Sequence, residues 1–410
     1  MRTLLLAASA LVWAGAARAE PVTFADALAR ASSSAPSLQA RSLQVAAARA
    51  AVRAADQLPD PRVSVGVTDF PISGPLAGHP ERDNFSMVTL GYSQDVPNHA
   101  KRRARADQAL ADITVAKAQV LVERRSVRIV TALAWVDLYY ARKKLEALEL
   151  LASALNSEST TAPSRLTSGA SRPAEALAPE LAKAVLADRR ETLRAALGKA
   201  RAELGRWIGF DPAIEPAGAP PSPALEPAAL RANLDGLPQL AAKSAMIRRA
   251  AADRGAAKAE TRSDWGYEVE YAHRDPRFGD YVSAKLNFSL PLFRANRQDP
   301  IIAARTLDVA RATAEREATR RELEAALESD LAEHAMHHAQ LARARDTLIP
   351  LARQRLDLET ASYGARTASL SDVLAAQRAF VDARLDALDR EAETVRDGVR
   401  LALTYGEEPQ

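Results

Sequence analysis

The sequence predicts a mainly α-helical protein with a small β part, built as two similar halves. Long stretches rich in Ala, Leu, Arg and Glu are typical of helices. Four short segments instead alternate apolar and polar residues with a period of two, as a strand does when its two faces lie in different media. Helix, strand pair and long helical hairpin occur twice in this order along the 410 residues, so we expect an internal duplication.

The first residues have the features of a secretory signal peptide. Arg2 precedes an apolar run over residues 4–17, and small residues flank a cleavage position before Glu20. This pattern predicts a cleaved leader over 1–19 and export from the cytoplasm. Because the chain has no cysteine, we expect neither disulfides nor lipidation of a mature N-terminal Cys.

Composition and motifs exclude several function classes. The 55 basic residues nearly balance the 52 acidic ones, whereas nucleic-acid binding usually needs a concentrated basic surface, so we expect no nucleic-acid partner. We find no phosphate-binding loop, nucleophile motif or paired-carboxylate signature, so the sequence predicts neither an enzyme nor a cofactor. After the leader, no segment approaches the roughly 20 apolar residues of a spanning helix.

Each half carries a strand pair followed by a long helical hairpin. The predicted strands are about 61–70 and 85–96 in the first half, and about 265–273 and 281–290 in the second. The predicted hairpins cover about 100–209 and about 296–405, with Gly169 and Gly364 at their tips. A Pro-rich linker over 215–227 separates the repeats 20–214 and 228–410. Pro179 and Pro350 fall inside helical stretches, so we expect them to bend or interrupt the helices.

The alternation assigns the strand residues to two faces. The polar set, which would face a water-filled lumen, is Thr89, Ser93, Glu268, Glu270, Ser283, Lys285, Asn287 and Ser289. The apolar set, which would face lipid, is Leu90, Tyr92, Tyr267, Val269, Val282, Leu286 and Phe288. A membrane β-barrel produces this pattern. A soluble sheet whose apolar face packs on a core produces it as well.

The membrane interpretation requires several chains. Four strands cannot close a barrel, and open edges leave backbone groups unpaired in lipid. Two chains would supply eight strands, whose interior side chains fill, whereas three chains would supply twelve and could leave a passage. A conduit therefore favours a trimer, while the sequence also permits a dimer.

Three histidines form a weak candidate metal site. The segment EHAMHH places His334, His337 and His338 at helical spacings i, i+3 and i+4, so the imidazoles share a helix face. Such a face can bind a metal ion, but histidines on a long exposed helix are more often ordinary surface residues. We therefore predict no metal site.

This layout resembles the TolC family of outer-membrane efflux channels. The similarity covers nearly the whole mature chain: duplicated halves, a strand pair in each, LPDP before the first strand, and a turn before each return helix in which Gly is followed within three residues by Ser or Thr. The segment DVPNHAKRRA (95–104) and the short length are most similar to the outer-membrane components of heavy-metal pumps of the CzcC/CusC type.

The resemblance implies a homotrimer in the outer membrane that extends into the periplasm. It implies a 12-stranded β-barrel, a 12-helix periplasmic α-barrel tunnel, and an equatorial domain around the linker. It also implies that the hairpin tips contact a periplasmic adaptor (membrane fusion protein), which joins the channel to an inner-membrane RND transporter. The segment TASLSDVLAAQ (367–377) matches the aperture motif of the family and places Asp372 at its acidic position. Ala368 and Ala375 stand where a basic and a second acidic residue are often found.

The predicted function is a passive export duct with heavy-metal cations as cargo. A drug or another small molecule is the alternative cargo. A soluble periplasmic coiled-coil scaffold or adaptor is the alternative from another class, and it would need no detergent and show no conductance. A periplasmic enzyme is the third and most distant alternative.

Overall fold

The computed structural model describes residues 20–159 and 177–406. The predicted leader 1–19 and the predicted hairpin tip at Gly169 lie outside the described residues. Most of the described chain is helical and a small part forms two sheets, which confirms the predicted mainly α fold class.

The helices are α1 (Phe24–Ser34), α2 (Pro36–Ala55), α3 (His99–Ser159), α4 (Ala178–Ile208), α5 (Pro227–Ala232), α6 (Pro238–Ala259), α7 (Gln298–Arg343), α8 (Ile349–Gly364) and α9 (Leu370–Tyr405). The strands are β1 (Glu20–Thr23), β2 (Arg62–Thr68), β3 (Met87–Val96), β4 (Ile214–Ala217), β5 (Trp265–His273) and β6 (Tyr281–Phe288). Among the described helices, none is both long and apolar enough to cross a membrane.

The chain forms two compact units. The first combines residues before Ser37 with residues 124–233 and residues from 325 onward. The second combines residues 37–123 and 234–324. Each unit thus takes segments from both sequence halves, because the duplicated elements of the two halves pack together within it.

The core of the first unit centres on Trp135 of α3. Its indole is fully buried, and its Nε1 donates a hydrogen bond of 2.8 Å to the carbonyl oxygen of Val22 in β1. The Phe24 ring meets the indole edge-on, with 5.5 Å between ring centroids, and Tyr139 stacks on it at 5.6 Å. A buried aromatic group that also satisfies its N–H fixes the first strand against α3.

A short parallel sheet in the first unit was not predicted. Strand β1 pairs with β4 over four residues, and Val22 lies opposite Pro216. The first residues of the predicted linker 215–227 therefore belong to a strand. The proline is tolerated because both strands of a two-stranded sheet are edges, where a missing N–H leaves no ladder partner unpaired.

The second unit contains a four-stranded antiparallel sheet with the order β2-β3-β5-β6. The observed strands lie within the four predicted segments, and their ends differ from the predicted ends by at most two residues. The central pair, β3 with β5, joins the strand pairs of the two halves. The repeat seen in the sequence thus becomes one continuous sheet.

The two prolines predicted to disturb helices behave differently. Pro350 follows a five-residue π-helical segment, Ala344–Leu348, which joins α7 to α8. Proline cannot donate to the preceding turn, and a π-helical segment absorbs the lost hydrogen bond. Pro179 instead lies in the first turn of α4, where its missing N–H has no intrahelical partner to lose. It therefore begins the helix and does not interrupt it.

Candidate functional site

The polar residues predicted for the lumen form transverse rows on one face of the four-stranded sheet, called here the polar face. Ser93 pairs with Glu268, and Glu268 pairs with Lys285. A second row contains Gly91, Glu270 and Ser283. Paired residues of antiparallel strands project to the same side. The Lys285 ammonium lies 3.9 Å from a carboxylate oxygen of Glu268, so a basic and an acidic side chain lie next to each other on this face.

The remaining members of the predicted polar set occupy the borders of this face. Thr89 lies opposite Ala272, and Asn287 lies opposite Gly266. Ser289 follows the last residue of β6, and its hydroxyl accepts a hydrogen bond of 2.8 Å from the backbone N–H of Asp264. This hydrogen bond holds the residue after β6 against the start of β5. The predicted strand continued to residue 290, so this role of Ser289 was not expected.

The predicted lipid-facing residues share the opposite side, called here the apolar face. Its rows are Leu90–Tyr271–Val282, Tyr92–Val269–Ala284 and Tyr267–Leu286. Strand β2 extends these rows, because Val63, Val65 and Val67 lie opposite Tyr92, Leu90 and Val88. The rings of Tyr92 and Tyr267 lie 6.3 Å apart between centroids. Apolar cross-strand pairs of this kind stabilise a sheet.

In the two central strands, β3 and β5, exposure is the reverse of that in a sheet packed on a soluble core. On the apolar face Tyr92 is 42% exposed, whereas on the polar face Thr89 is 7% exposed and Ala272 is fully buried. The edge strands β2 and β6 are exposed on both faces. A solvated sheet normally covers its apolar side and exposes its polar side. The arrangement is that of a sheet whose apolar face needs a further apolar medium.

Gly91 lies opposite Ser64 on the polar face, where there is no room for a larger residue. A Cβ at Gly91 would come within 2.5 Å of the Ser64 hydroxyl oxygen, which is too close for any contact, whereas one at Gly66 would meet Thr89 at an ordinary 3.7 Å. Gly91 therefore makes room for the Ser64 side chain. The sequence had indicated the alternation at this position but not the close approach.

Arg274 ties the two loops at the far end of the strand pairs together. Its guanidinium donates to the carbonyl oxygens of Asn84 (3.0 Å), Phe278 (2.6 Å) and Gly279 (2.8 Å). Asp280 accepts hydrogen bonds from the Arg274 backbone N–H and from His273. Nothing in the sequence pointed to this residue, since an arginine in a polar loop carries no signal for backbone contacts in another loop.

Asp372 lies in the first turn of α9, after the turn that reverses the chain behind α8. Ser369 is the N-cap residue, and the Asp372 carboxylate accepts hydrogen bonds from its hydroxyl (2.7 Å) and its backbone N–H (2.9 Å). This capping box lowers the pKa of the Asp372 carboxyl, because the Ser369 hydrogen bonds favour the charged form. The side chain is exposed, and its charge persists at neutral pH.

The predicted hairpin tip at Gly364 is the last residue of α8. The residue with the left-handed backbone is Arg366, at φ 61°. The Thr367 and Ala368 N–H groups donate back to the Ser362 carbonyl oxygen at 2.9 and 3.3 Å. The reversal thus spans residues 365–369 and does not use the conformational freedom of the glycine.

The three histidines do not converge on a metal-binding geometry. His337 Nδ1 lies 2.6 Å from an Asp397 carboxylate oxygen, and Asp397 also accepts from Arg400 at 3.3 Å. The rings of His334 and His338 lie 6.4 Å apart, and burial lowers the pKa of the His334 imidazole. In the described part of the chain, no group of three or more metal-ligating side chains could hold an ion.

Comparison with known proteins agrees with this geometry. No family model matches the chain, and no curated protein matches it significantly. Among solved structures, a membrane protein from Pseudomonas aeruginosa superposes with a TM-score of 0.79 at 17% identity, covering 93% of this chain and 90% of its own. The outer membrane protein VceC from Vibrio cholerae gives 0.75 at 16% identity, covering 93% and 96%.

A third similar structure is that of CusC, a protein that forms a transmembrane channel. It superposes with a TM-score of 0.77 at 15% identity, and the match covers 94% of this chain and 92% of CusC. Nearly full coverage of both chains means that the whole architecture is shared, not one element. The chain therefore has the TolC-like fold of outer membrane channels.

Proposed function

We propose that this chain is the outer-membrane channel of a tripartite efflux system and belongs to the TolC family. The observation that carries the proposal is the exposed apolar face of the four-stranded sheet, whose opposite, polar face is the less exposed one in the central strands β3 and β5. In a membrane β-barrel the apolar face contacts lipid and the polar face lines the lumen. The TolC-like fold supports the same role.

Closure of the barrel requires further copies of the chain. Strands β2 and β6 are the edges of the sheet, and edges in lipid would leave backbone groups without partners. Three copies supply twelve strands, in which β2 of one copy pairs with β6 of the next. A barrel of that size leaves an aqueous passage, which an eight-stranded barrel filled by side chains does not.

The duct itself is passive in this proposal, and its partners supply the energy. A periplasmic adaptor binds the hairpin tips near Gly169 and Gly364, and an inner-membrane RND transporter drives export. Three copies of Asp372 form an acidic ring at the periplasmic aperture. Asp372 also caps helix α9. The capping role is compatible with a place in the acidic ring, because the exposed Asp372 carboxylate stays charged.

Heavy-metal cations are the proposed cargo, with drugs or other small molecules as the alternative. The polar face carries both acidic and basic groups, so its lining is permissive, and specificity depends mainly on the transporter. The histidines contribute little, since a duct must release its cargo and His337 is already paired with Asp397.

The proposal is tested with the full chain isolated from cells. We expect it in the outer-membrane fraction, as a trimer in mild detergent that forms channels in planar bilayers. Recovery as a water-soluble monomer without conductance would favour the scaffold alternative. For the cargo, a strain lacking the protein should become sensitive to heavy-metal salts. Sensitivity to drugs alone would replace metals by the alternative cargo.

A further inference from the structure

A basic cavity of about 440 Å³ lies in the second unit, between the first turns of α3 and the last turns of α6. Its charged lining consists of Arg103, Lys258, Arg262 and Asp107, and His99 also borders it. Three permanent cations thus face one carboxylate. The proposed channel function does not use this cavity.

The cations of the cavity are not neutralised by neighbouring carboxylates. Within the described chain, Arg103, Lys258 and Arg262 form no side-chain ion pair, and all three are exposed. Lys101, which does not border the cavity, lies 2.7 Å from Glu260 and 2.8 Å from Asp264. Glu260 and Asp264 are therefore already paired, and the cavity keeps three basic residues against the single carboxylate of Asp107.

The backbone adds to the preference for an anion. Helix α3 begins at His99, directly beside the cavity, and Asn98 accepts a hydrogen bond from the Lys101 N–H at 2.9 Å as its capping residue. The N-terminus of a helix carries partial positive charge. Gly255 leaves the cavity open, because a Cβ there would meet no atom within 4 Å. Together with the three cations, this suits a phosphate group.

The position of the cavity indicates the source of that phosphate. Arg262 lies three residues before Trp265, the first residue of β5, and His99 lies three residues after Val96, the last residue of β3. At this end of the sheet the apolar face finishes with the exposed pair Trp265 and Phe288. Basic residues next to an aromatic border are typical of the level of lipid headgroups.

We propose that this cavity binds the phosphate of an anionic phospholipid headgroup at the border between the sheet and the helices. The inference rests on the proposed membrane location of the sheet. The phosphate accepts hydrogen bonds from Arg103, Lys258 and Arg262, while the acyl chains lie along the apolar face. Asp107 opposes the anion and tunes its affinity.

The test uses the full chain, purified from membranes in mild detergent and titrated with short-chain phosphatidylglycerol, short-chain phosphatidylcholine or inorganic phosphate. Bound lipid is counted by native mass spectrometry. We expect phosphatidylglycerol to bind about tenfold more tightly than phosphatidylcholine, because each basic residue near an anionic headgroup adds several-fold. Inorganic phosphate binding as tightly as phosphatidylglycerol would identify a site for a free anion and would overturn the lipid proposal.

Two matched pairs of variants locate the site. The triple variant Arg103→Gln, Lys258→Gln, Arg262→Gln should lose the preference for phosphatidylglycerol, whereas Arg105→Gln, outside the cavity on the same helix, should keep it. Gly255→Leu fills the cavity without changing its charge and should weaken binding. Gly198→Leu, at another open helical glycine, should not.

Oligomeric mass and membrane fraction are measured on the same preparations. A triple variant that remains a membrane-bound oligomer with an unchanged lipid preference would overturn the headgroup site and leave the channel proposal intact. A wild-type chain recovered as a soluble protein would overturn both. If the triple variant fails to assemble, the Gly255→Leu variant provides the test. An unchanged preference of that variant for phosphatidylglycerol would contradict the site.

Discussion

The ammonium of Lys285 lies 3.9 Å from the carboxylate of Glu268 across the β5–β6 pair. One residue further along β6, Leu286 pairs with Tyr267 on the other side of the sheet and is largely exposed. Two consecutive residues of β6 thus project to opposite sides of the sheet, Lys285 to the polar face and Leu286 to the apolar face. They form a matched pair of positions for testing which face meets water and which meets lipid.

We expect substitutions at these two positions to have different effects. Lys285→Leu should change the ion selectivity of the channel with little loss of assembled trimer, because it removes one charge from the polar face. Leu286→Arg should impair assembly by less than the roughly 2–4 kcal/mol of a mid-bilayer position, because Leu286 lies two residues from Phe288 at the proposed headgroup border. Bilayer conductance and trimer yield in membranes measure the two effects. Equal loss of trimer from both changes would contradict the assigned faces.

The close approach at Gly91 predicts a specific coupling with Ser64. Gly91→Ala should destabilise the protein by about 1–3 kcal/mol, the usual cost of overpacking, because its Cβ meets the Ser64 hydroxyl. Adding Ser64→Ala should recover most of this loss, since ordinary contacts with the Ser64 Cβ at 3.9 Å and a Glu270 carboxylate oxygen at 4.0 Å then remain. Gly66→Ala is the control and should have a smaller effect. Denaturant unfolding in detergent measures the free energies of this double-mutant cycle. If the losses from Gly91→Ala and Ser64→Ala simply added in the double variant, the contact between the two residues would be refuted.

The capping box at α9 predicts how the channel depends on pH. The Ser369 hydrogen bonds hold the pKa of the Asp372 carboxyl in one chain below the usual value of 3.8, whereas repulsion among three carboxylates in the proposed ring acts in the opposite direction. We therefore expect cation selectivity to be constant around neutral pH and to decline in acid as the carboxylates take up protons. The capping contribution to stability is present above the usual value of 3.8 and is lost as the pH falls through the folded pKa.

Two variants separate the charge of Asp372 from its capping role. Asp372→Asn should reduce cation selectivity at neutral pH. Ser369→Ala keeps the charge but loses the cap, so selectivity at neutral pH should stay close to wild type. Reversal potentials in asymmetric salt measure this difference. The acidic ring would be refuted by an Asp372→Asn channel with wild-type selectivity.

His337 should contribute to stability and not to metal binding. His337→Ala leaves Asp397 largely buried with Arg400 as its remaining partner, and we expect a loss of about 1–3 kcal/mol. His338→Ala, at an exposed position, should have no measurable effect. Thermal unfolding compares the two, with and without zinc. A zinc-dependent rise in Tm that either variant abolishes would show that the histidines bind metal.

The sequence predicted the features that depend on local periodicity. The four strands and the division of their residues into two faces follow from a period of two, which each strand displays by itself. The duplicated order of elements predicted a strand pair in each half, and the pairing of β3 with β5, which joins them, is seen only in the structure. Exposure of the apolar face could not be read from alternation, since a soluble sheet and a membrane sheet share the same pattern.

Features that depend on tertiary contacts were not predictable. The partner of His337 is Asp397, sixty positions away on another helix. Strand β1 is four residues long, too short for a periodic signal, and its partner β4 contains a proline. At the reversal after α8, composition favoured Gly364, yet Arg366 adopts the left-handed backbone. The hydrogen bonds of Thr367 and Ala368 to Ser362 hold that turn.

The most direct test of the central claim is thiol labelling of the two faces in native membranes. The chain contains no cysteine, so Lys285→Cys and Leu286→Cys each introduce a single thiol. A water-soluble maleimide should modify Lys285→Cys rapidly in intact outer membranes and Leu286→Cys only after denaturation, which serves as the control for thiol reactivity. Equal labelling of both positions in membranes, or labelling of Leu286→Cys alone, would contradict a sheet with lipid on its apolar face and water on its polar face.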